Sequence, residues 1–212
     1  MTFKEAVYSY AEEPLTRQVM MELLKEYSRP NDKINELVKK GELTTVKRGL
    51  YVTGPEINIA QPEPFLIANH LWGPSYVSLD AALSYWGLIP ERVYEISSIT
   101  IKTSKNYKTP IGRFSYYRAP LPYYSFGIKS VQLTPKQVAL IATPEKAICD
   151  KIITTAGIFL RSRKQVQEYL VDDLRMDEEM LRDLDLEAID SWISDAPKKG
   201  SLSMLVKTIK GL

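Results

Sequence analysis

The spacing of apolar positions in the first fifty residues predicts two helices separated by a tight turn. Apolar residues recur three and four positions apart in the stretch 17–26, and again in a stretch that opens at Pro30. Proline is tolerated in the first turn of a helix, Ser28 before it can act as a cap, and Gly41 is a natural end for this second helix. The stretch 43–52 combines β-branched residues with a glycine turn, which predicts a β-hairpin.

Helix, turn, helix and hairpin within about forty residues is the pattern of a winged helix-turn-helix. In that arrangement the second helix enters the major groove of DNA, and the hairpin, called the wing, lies beside the phosphate backbone. The residues of base-reading type on the second helix are Arg29, Asn31 and Asn35. The residues suited to phosphate contacts are Lys33, Lys39, Lys47 and Arg48. Because winged helices also serve as protein-docking modules, protein docking stays open as an alternative.

The stretch 54–64 contains three prolines and few apolar residues, which predicts a linker. We therefore expect a winged helix-turn-helix domain over residues 1–53, the linker 54–64, and a second domain over residues 65–212.

Beyond the predicted linker, helical and strand-like patterns follow one another without an internal repeat. The predicted helices are 65–71, 78–86, one opening at Thr143, 161–171, pieces within 176–193, and 202–209. The predicted strands are 92–103, 107–118, 126–133 and 138–142. This mixture predicts an α+β fold, in which the second domain is a mainly antiparallel sheet packed with helices and followed by a helical C-terminal region.

Charge is segregated along the chain, although the 212 residues together carry a formal net charge of only +2. The net charge is +3 over residues 28–52, +6 over 91–136 and −8 over 172–195. The basic stretches favour anionic partners, whereas the acidic stretch suits a solvated face or an internal counterweight. The opening residues lack a secretory apolar segment, and no apolar run approaches the length of a membrane span. We therefore expect a cytoplasmic protein without membrane contacts.

The residue counts leave little room for catalytic or metal chemistry. His70 is the only histidine and Cys149 the only cysteine, which excludes Cys-rich zinc sites and histidine clusters. Glu145 and Lys146 are adjacent at a predicted helix start, so their side chains diverge by about 100° instead of converging on a metal ion. The chain has no Gly-rich phosphate loop. We predict no catalytic residue, no metal and no cofactor, and a protein that is not an enzyme.

Basic and aromatic residues are interleaved between positions 102 and 126, and this pattern has two interpretations. Such residues can bind single-stranded nucleic acid by stacking and phosphate pairing. Alternation in a sheet would instead place the rings in the core and the charges in solvent. The basic residues of the candidate surface for RNA or a protein partner are Lys102, Lys105, Lys108, Arg113 and Arg118. The aromatic residues are Tyr107, Phe114, Tyr116, Tyr117, Tyr123, Tyr124 and Phe126.

Three segments, in their order and spacing, resemble the AbiEi-type antitoxins of bacterial toxin–antitoxin and abortive-infection systems. They are RGLYV at 48–52, GPSYVSLDAALSYWGLIPE at 73–91 and ATPEKAICDK at 142–151. The resemblance covers residues 10–155, and its central segment is the most specific of the three.

The resemblance implies a transcriptional autorepressor that binds repeats in its own promoter and counters a nucleotidyltransferase-type toxin. It places Arg48 at the tip of the wing and transfers no catalytic role to this chain. The expected partners are promoter DNA, the toxin and, through the basic surface, RNA. Two alternatives stay open: a ligand-sensing winged-helix transcriptional regulator without a toxin partner, and a winged-helix enzyme acting on nucleic acid.

Overall fold

A computed structural model describes residues 3–212; Met1 and Thr2, the first positions of the predicted domain 1–53, lie outside the described residues. Residues 3–212 form ten α-helices and nine strands, an α+β fold. The helices are α1 (Phe3–Val7), α2 (Arg17–Leu23), α3 (Pro30–Lys39), α4 (Pro64–Leu71), α5 (Leu79–Tyr85), α6 (Pro144–Thr154), α7 (Arg163–Gln167), α8 (Glu178–Arg182), α9 (Leu186–Trp192) and α10 (Lys199–Ile209). The strands are β1 (Leu15–Thr16), β2 (Leu43–Lys47), β3 (Leu50–Thr53), β4 (Ser75–Val77), β5 (Glu95–Thr100), β6 (Lys105–Thr109), β7 (Gly112–Arg118), β8 (Ile128–Gln132) and β9 (Val138–Ala142).

The N-terminal part packs α1, α2 and α3 against a three-stranded antiparallel sheet of order β1-β3-β2. The two predicted helices and the hairpin are confirmed, and α3 opens with Pro30 as expected. Gly41 follows α3 with φ +70°, a left-handed conformation that glycine adopts without strain. The prediction of Ser28 as the cap is wrong. The N-cap position belongs to Arg29, whose guanidinium has no acceptor to offer the helix.

The hairpin β2–β3 contributes side chains to two hydrophobic cores. Leu43 packs with α1, α2 and α3 in the first core. Val46, Leu50 and Val52 pack in the second core, which contains α4 and the larger sheet. The hairpin therefore joins the two parts of the molecule instead of projecting freely from the first.

The predicted linker 54–64 is packed against both parts, and α4 already begins within it. Ile57 is 4% exposed and belongs to the first core. The Gln61 amide donates to the hydroxyl of Thr53 at 2.6 Å, and the backbone N–H of Glu63 donates to the side chain of Gln137 at 2.6 Å. The prolines of this stretch thus shape an ordered connection and not a flexible tether.

The larger sheet has the order β6-β7-β5-β4-β9-β8 and is mixed, which corrects the prediction of a mainly antiparallel sheet. The pairs β5–β7 and β4–β9 are parallel, and the other three are antiparallel. The run 107–118 folds back on itself, so β7 and not β6 lies beside β5. Strand β4 escaped prediction because three residues between a turn and a helix are too few to show alternation.

The helices around this sheet follow the predicted order, with two differences. Thr143 caps α6 by accepting a hydrogen bond from the N–H of Lys146, as predicted. Ser78 stands at the N-cap position of α5, but its hydroxyl donates to Asp150 and does not cap the helix, so that prediction is wrong. The predicted helix 161–171 changes at Gln167 into a π-helical segment, Glu168–Asp173.

The chain from position 3 onward contains no helix that combines the length and the apolar character needed to span a bilayer.

Candidate nucleic-acid interface

Helix α3 keeps the predicted DNA-contacting face open to solvent. Ile34 and Leu37 turn into the first core and fix the orientation of the helix. The exposed predicted contact residues are Arg29, Asn31, Asn35 and Lys39, and Lys33 is half-buried. The side chains of base-reading type therefore occupy a continuous outer surface of one helix.

Ion pairs within α3 moderate the positive charge of this face. The guanidinium of Arg29 lies 3.6 Å from the carboxylate of Asp32. Glu36 accepts hydrogen bonds from Lys40 at 2.6 Å and from Lys33 at 3.0 Å. These hydrogen bonds, first that from Lys40 and then that from Lys33, hold the pKa of Glu36 below its usual range. Because exposed ion pairs are weak, a phosphate can replace the carboxylate partner of Arg29 or Lys33 at little cost.

Two cations, Arg48 on the hairpin and Arg17 at the start of α2, lie at the tip of the hairpin. Gly49 has φ +85°, the left-handed conformation that lets the chain reverse directly after Arg48. The backbone N–H of Arg17 donates to the carbonyl of Gly49 at 2.8 Å, which brings the start of α2 to the tip. Arg17 and Arg48 are exposed, and neither has a carboxylate within 4.0 Å among residues 3–212. Sequence reasoning missed Arg17 because this contact is not local.

Lys47 is directed away from the hairpin tip and toward the second part of the chain. Its ammonium donates to the carbonyl of Leu71, at the end of α4, and lies 5.9 Å from the ring centroid of Trp72. Partial burial, together with the charges of Lys102 and Lys105, lowers the pKa of Lys47. Its predicted contact with phosphate stays a prediction. In the structure, Lys47 connects the hairpin to the end of α4.

The basic residues of the second part divide between two faces of the sheet. Lys105 pairs in register with Tyr116, and Lys108 pairs with Arg113. Because side chains alternate along a strand, Lys105 and Lys108 point to opposite faces. Arg118, two positions after Tyr116, shares the face of Lys105. The single basic surface expected from the sequence is therefore two smaller surfaces.

Most of the interleaved aromatic rings belong to the core. Phe114 and Tyr116 are each 1% exposed and Tyr123 is fully buried. The phenol of Tyr116 donates to the carbonyl of Ala68 at 2.7 Å, which ties β7 to α4. These three rings offer no stacking surface to a nucleic acid, so for them the alternative of an aromatic core face is correct.

Two residues of the motif at 142–151, Lys146 and Asp150, are part of a buried polar cluster that was not predicted. Lys146 and Asp150 are both fully buried, with their charged groups 3.4 Å apart. Asp150 also accepts hydrogen bonds from Tyr76 at 3.0 Å, Ser78 at 2.7 Å and Tyr123 at 2.9 Å. Lys146 donates to the backbone carbonyl of Tyr123 at 2.8 Å. The cluster locks α6 to β4 and to the turn Tyr123–Ser125, a structural role.

The other candidate chemical groups have local partners. Burial raises the pKa of the Cys149 thiol, which is fully enclosed. The Nδ1 atom of His70 lies 3.0 Å from the carbonyl of Leu66, and Glu145 accepts from the N–H of Asp185 at 3.1 Å. Within residues 3–212, no three His, Cys, Asp or Glu residues are grouped so that they could hold a metal ion.

A cleft of about 560 Å³ opens between α5, the end of α6 and the strands β5 and β7. Its floor contains Ser97 and Ser115, neighbours on parallel strands that are 8% and 1% exposed. Ser97 donates to the carbonyl of Ser78. On one wall, Lys151 and Asp80 form an ion pair of 2.7 Å.

Comparison with known proteins finds a similar fold among solved structures. Neither a protein-family model nor a curated protein matches the chain. The crystal structure of the RV2827C protein from Mycobacterium tuberculosis superimposes with a TM-score of 0.61 at 16% identity, covering 98% of this chain and 77% of that chain. At this identity the likeness concerns the fold alone.

Proposed function

We propose that the chain is a DNA-binding autorepressor with a winged helix-turn-helix at its N-terminus, and that it acts as the antitoxin of a nucleotidyltransferase-type toxin. In this proposal α3 lies in the major groove of promoter DNA and the tip of the β2–β3 hairpin contacts the flanking phosphates. The proposal assigns binding and no reaction to the chain.

The order of elements supports the winged-helix part of the proposal. Helices α2 and α3 are separated by a short turn and followed directly by the β2–β3 hairpin. Strand β1 precedes α2 and completes a small sheet at the edge of β3, so that the hairpin is held against the helices. A recognition helix needs such a fixed support in order to present its side chains to base edges.

The observation on which the proposal depends is the open outer face of α3. Arg29, Asn31 and Asn35 are all exposed, and the exposed Arg48 follows on the hairpin. Arginine and asparagine are the residue types that bind guanine and adenine edges in pairs of hydrogen bonds. Asp32 and Glu36 on the same helix weaken non-specific attraction to phosphate, which favours reading of particular sequences over tight binding to any duplex.

The antitoxin part of the proposal depends on the three sequence segments that resemble AbiEi-type antitoxins. Co-expression with the product of the neighbouring gene, followed by growth measurement, tests it directly, since the proposal requires that product to be a nucleotidyltransferase-type toxin. Growth that stays arrested would refute the antitoxin role and leave DNA binding to be judged separately.

DNA binding is tested by titrating labelled duplex from the upstream promoter, and a scrambled duplex, with the full-length chain. The double variant R29A/N35A should lose about 1–3 kcal/mol of the preference for promoter over scrambled DNA. The variant R48Q should bind both duplexes more weakly and reduce the slope of log K against log salt by about 1.

A matched control removes an exposed cation elsewhere. Lys207 is exposed on α10, and K207Q should bind both duplexes like the parent chain. If R29A/N35A keeps the full promoter preference, α3 does not read the sequence and the proposal is wrong in its central part.

A second candidate function, ligand-sensing transcriptional regulation, is favoured by the cleft whose floor contains Ser97 and Ser115. Its volume of about 560 Å³ is within the range of small-molecule sites. Filling the cleft with S115V should leave DNA binding unchanged if the antitoxin proposal holds. A change in promoter affinity would favour the sensor.

A further inference from the structure

Three lysine ammoniums surround one indole ring where the hairpin meets the second part of the chain. The Nζ atoms of Lys105, Lys102 and Lys47 lie 4.6, 5.1 and 5.9 Å from the ring centroid of Trp72. The ring is held in place by its own N–H, which donates to the carbonyl of Thr103 at 3.1 Å. Three like charges therefore converge on one fixed, partly buried support.

No acidic side chain neutralises this group, which we call the Trp72 cluster. From Ile96 to Pro144 the sequence contains neither aspartate nor glutamate. In the described chain, none of the three ammoniums has a carboxylate within 4.0 Å. Burial lowers the pKa of Lys47, and the charges of Lys102 and Lys105 lower it further.

The three lysines differ in how far their hydrogen-bonding capacity is used. Lys47 donates to the carbonyl of Leu71, the last residue of α4, and Lys102 donates to the carbonyl of Gly73, two residues further along. Lys105 rests on the rings of Trp72 and Tyr107 without a hydrogen-bond acceptor in the described chain. Lys105 in full and Lys102 in part can therefore donate to an external anion.

We infer that Lys102 and Lys105, supported on Trp72, bind a backbone phosphate of the same DNA duplex that α3 reads. The inference rests on the proposed function and extends the DNA contact from the winged helix into the second part of the chain. Lys47 precedes Arg48 by one residue, about 3.8 Å between Cα atoms, so the cluster adjoins the tip of the wing. In the proposed complex, the duplex whose phosphates meet Arg48 extends from the hairpin tip toward the second part of the chain, the direction in which Lys47 points.

Duplex DNA fits the cluster better than single-stranded RNA. Single-strand binding depends on bases that stack on open aromatic faces. At Trp72 the ring is flanked by ammoniums, and the neighbouring Tyr116 is buried, which leaves phosphate contact as the available interaction. The contact is then independent of base sequence.

The test measures binding of the full-length chain to promoter and scrambled duplexes over a series of salt concentrations. In K102Q/K105Q the contact with one phosphate is lost, so the slope of log K against log salt should flatten by about 0.9. Affinity at about 0.1 M salt should fall roughly tenfold or more on both duplexes, with the promoter preference unchanged. The charge-retaining variant K102R/K105R should restore binding.

The matched control removes two charges from β6 and β7, on the face opposite Lys105. Lys108 and Arg113 are exposed and directly opposite each other in the β6–β7 pair. K108Q/R113Q should bind DNA like the parent chain, and thermal unfolding followed by circular dichroism should show that both variants are folded.

The outcomes separate this inference from the proposed function. If R29A/N35A loses promoter preference while K102Q/K105Q binds as the parent does, the inference is overturned and the winged-helix proposal stands. If K102Q/K105Q loses binding to single-stranded RNA or rescue from the toxin, but keeps duplex affinity, the cluster serves that other partner and the inference is again overturned. If the parent chain binds no duplex, the proposed function fails first.

Discussion

Replacing Lys146 by methionine tests whether the buried polar cluster holds the second part of the molecule together. Methionine keeps the apolar stem of the side chain and removes only the ammonium, which lies 3.4 Å from Asp150 with both residues fully buried. The carboxylate of Asp150 would keep the hydroxyls of Tyr76, Ser78 and Tyr123 as donors but lose its counter-charge.

Removing one partner of a buried ion pair costs about 3–5 kcal/mol, because a charge is left in a low-dielectric site. Three remaining hydroxyl donors place the expected loss in the free energy of unfolding near the lower end, about 3 kcal/mol. This is a large share of the roughly 5–15 kcal/mol by which such proteins are stable. At a urea dependence of about 1–3 kcal/mol per molar, the unfolding midpoint should fall by about 1–3 M.

Urea unfolding followed by circular dichroism measures the loss, and a double-mutant cycle assigns it to the pair. D150N removes the buried charge, so K146M/D150N should be more stable than the sum of the single losses predicts, with a coupling free energy of at least about 1.5 kcal/mol. A loss below about 1 kcal/mol for K146M, or single losses that simply add, would falsify the assignment of a buried ionised pair.

Three further predictions concern stability. Hydrogen bonds from Gln137 and Thr134 lower the pKa of Glu12 from its ordinary value of 4.5. The contribution of Glu12 to the free energy of unfolding is therefore present above pH 4.5 and is lost as the pH falls through the lower folded-state pKa. E12Q should remove this part of the acid dependence of Tm, and an unchanged pH profile would contradict the reasoning. A Cβ at Gly54 would lie 2.1 Å from the carbonyl oxygen of Gly41; G54A should therefore lower the stability by about 1–3 kcal/mol or more, whereas the control G200A, with open space and a helical position, should raise it by about 0.4–1 kcal/mol. Leu50 is 2% exposed, so L50A should lower the free energy of unfolding, measured with urea, by about 2–5 kcal/mol. A near-neutral result would mean that the hairpin is not packed in the second core.

Local patterns predicted the helices and the hairpin of the N-terminal part, because caps, glycine ends and apolar spacing act within a few residues. Pro30 and Gly41 bracket α3 for this reason. The order of the larger sheet was beyond such reasoning, since the pairing of β9 with β4 depends on residues more than sixty positions apart. The packed linker and the shared hairpin core likewise depend on contacts such as that between Glu63 and Gln137.

The candidate interface was predicted in part. The exposure of Arg29, Asn31 and Asn35 on α3 agrees with the expected outer face, because Ile34 and Leu37 fix which side is buried. The direction of Lys47 was not predictable, since it is set by a carbonyl on α4, twenty-four residues further along the chain. The buried pair in α6 was missed because Lys146 was considered only beside Glu145, whereas its partner Asp150 lies one turn further along the helix.

The β2–β3 hairpin packs in both hydrophobic cores, and this determines how the molecule unfolds. If the first part unfolds alone, the hairpin unfolds with it, and Val46, Leu50 and Val52 leave the second core. If the second part unfolds alone, these three side chains lose their packing partners, while Leu43 stays packed in the first core. Neither half can then lose its order without exposing apolar surface of the other, and heating should produce one cooperative transition. A fragment that ends after β3, at Thr53, would expose these three apolar side chains to solvent. We expect such a fragment to aggregate.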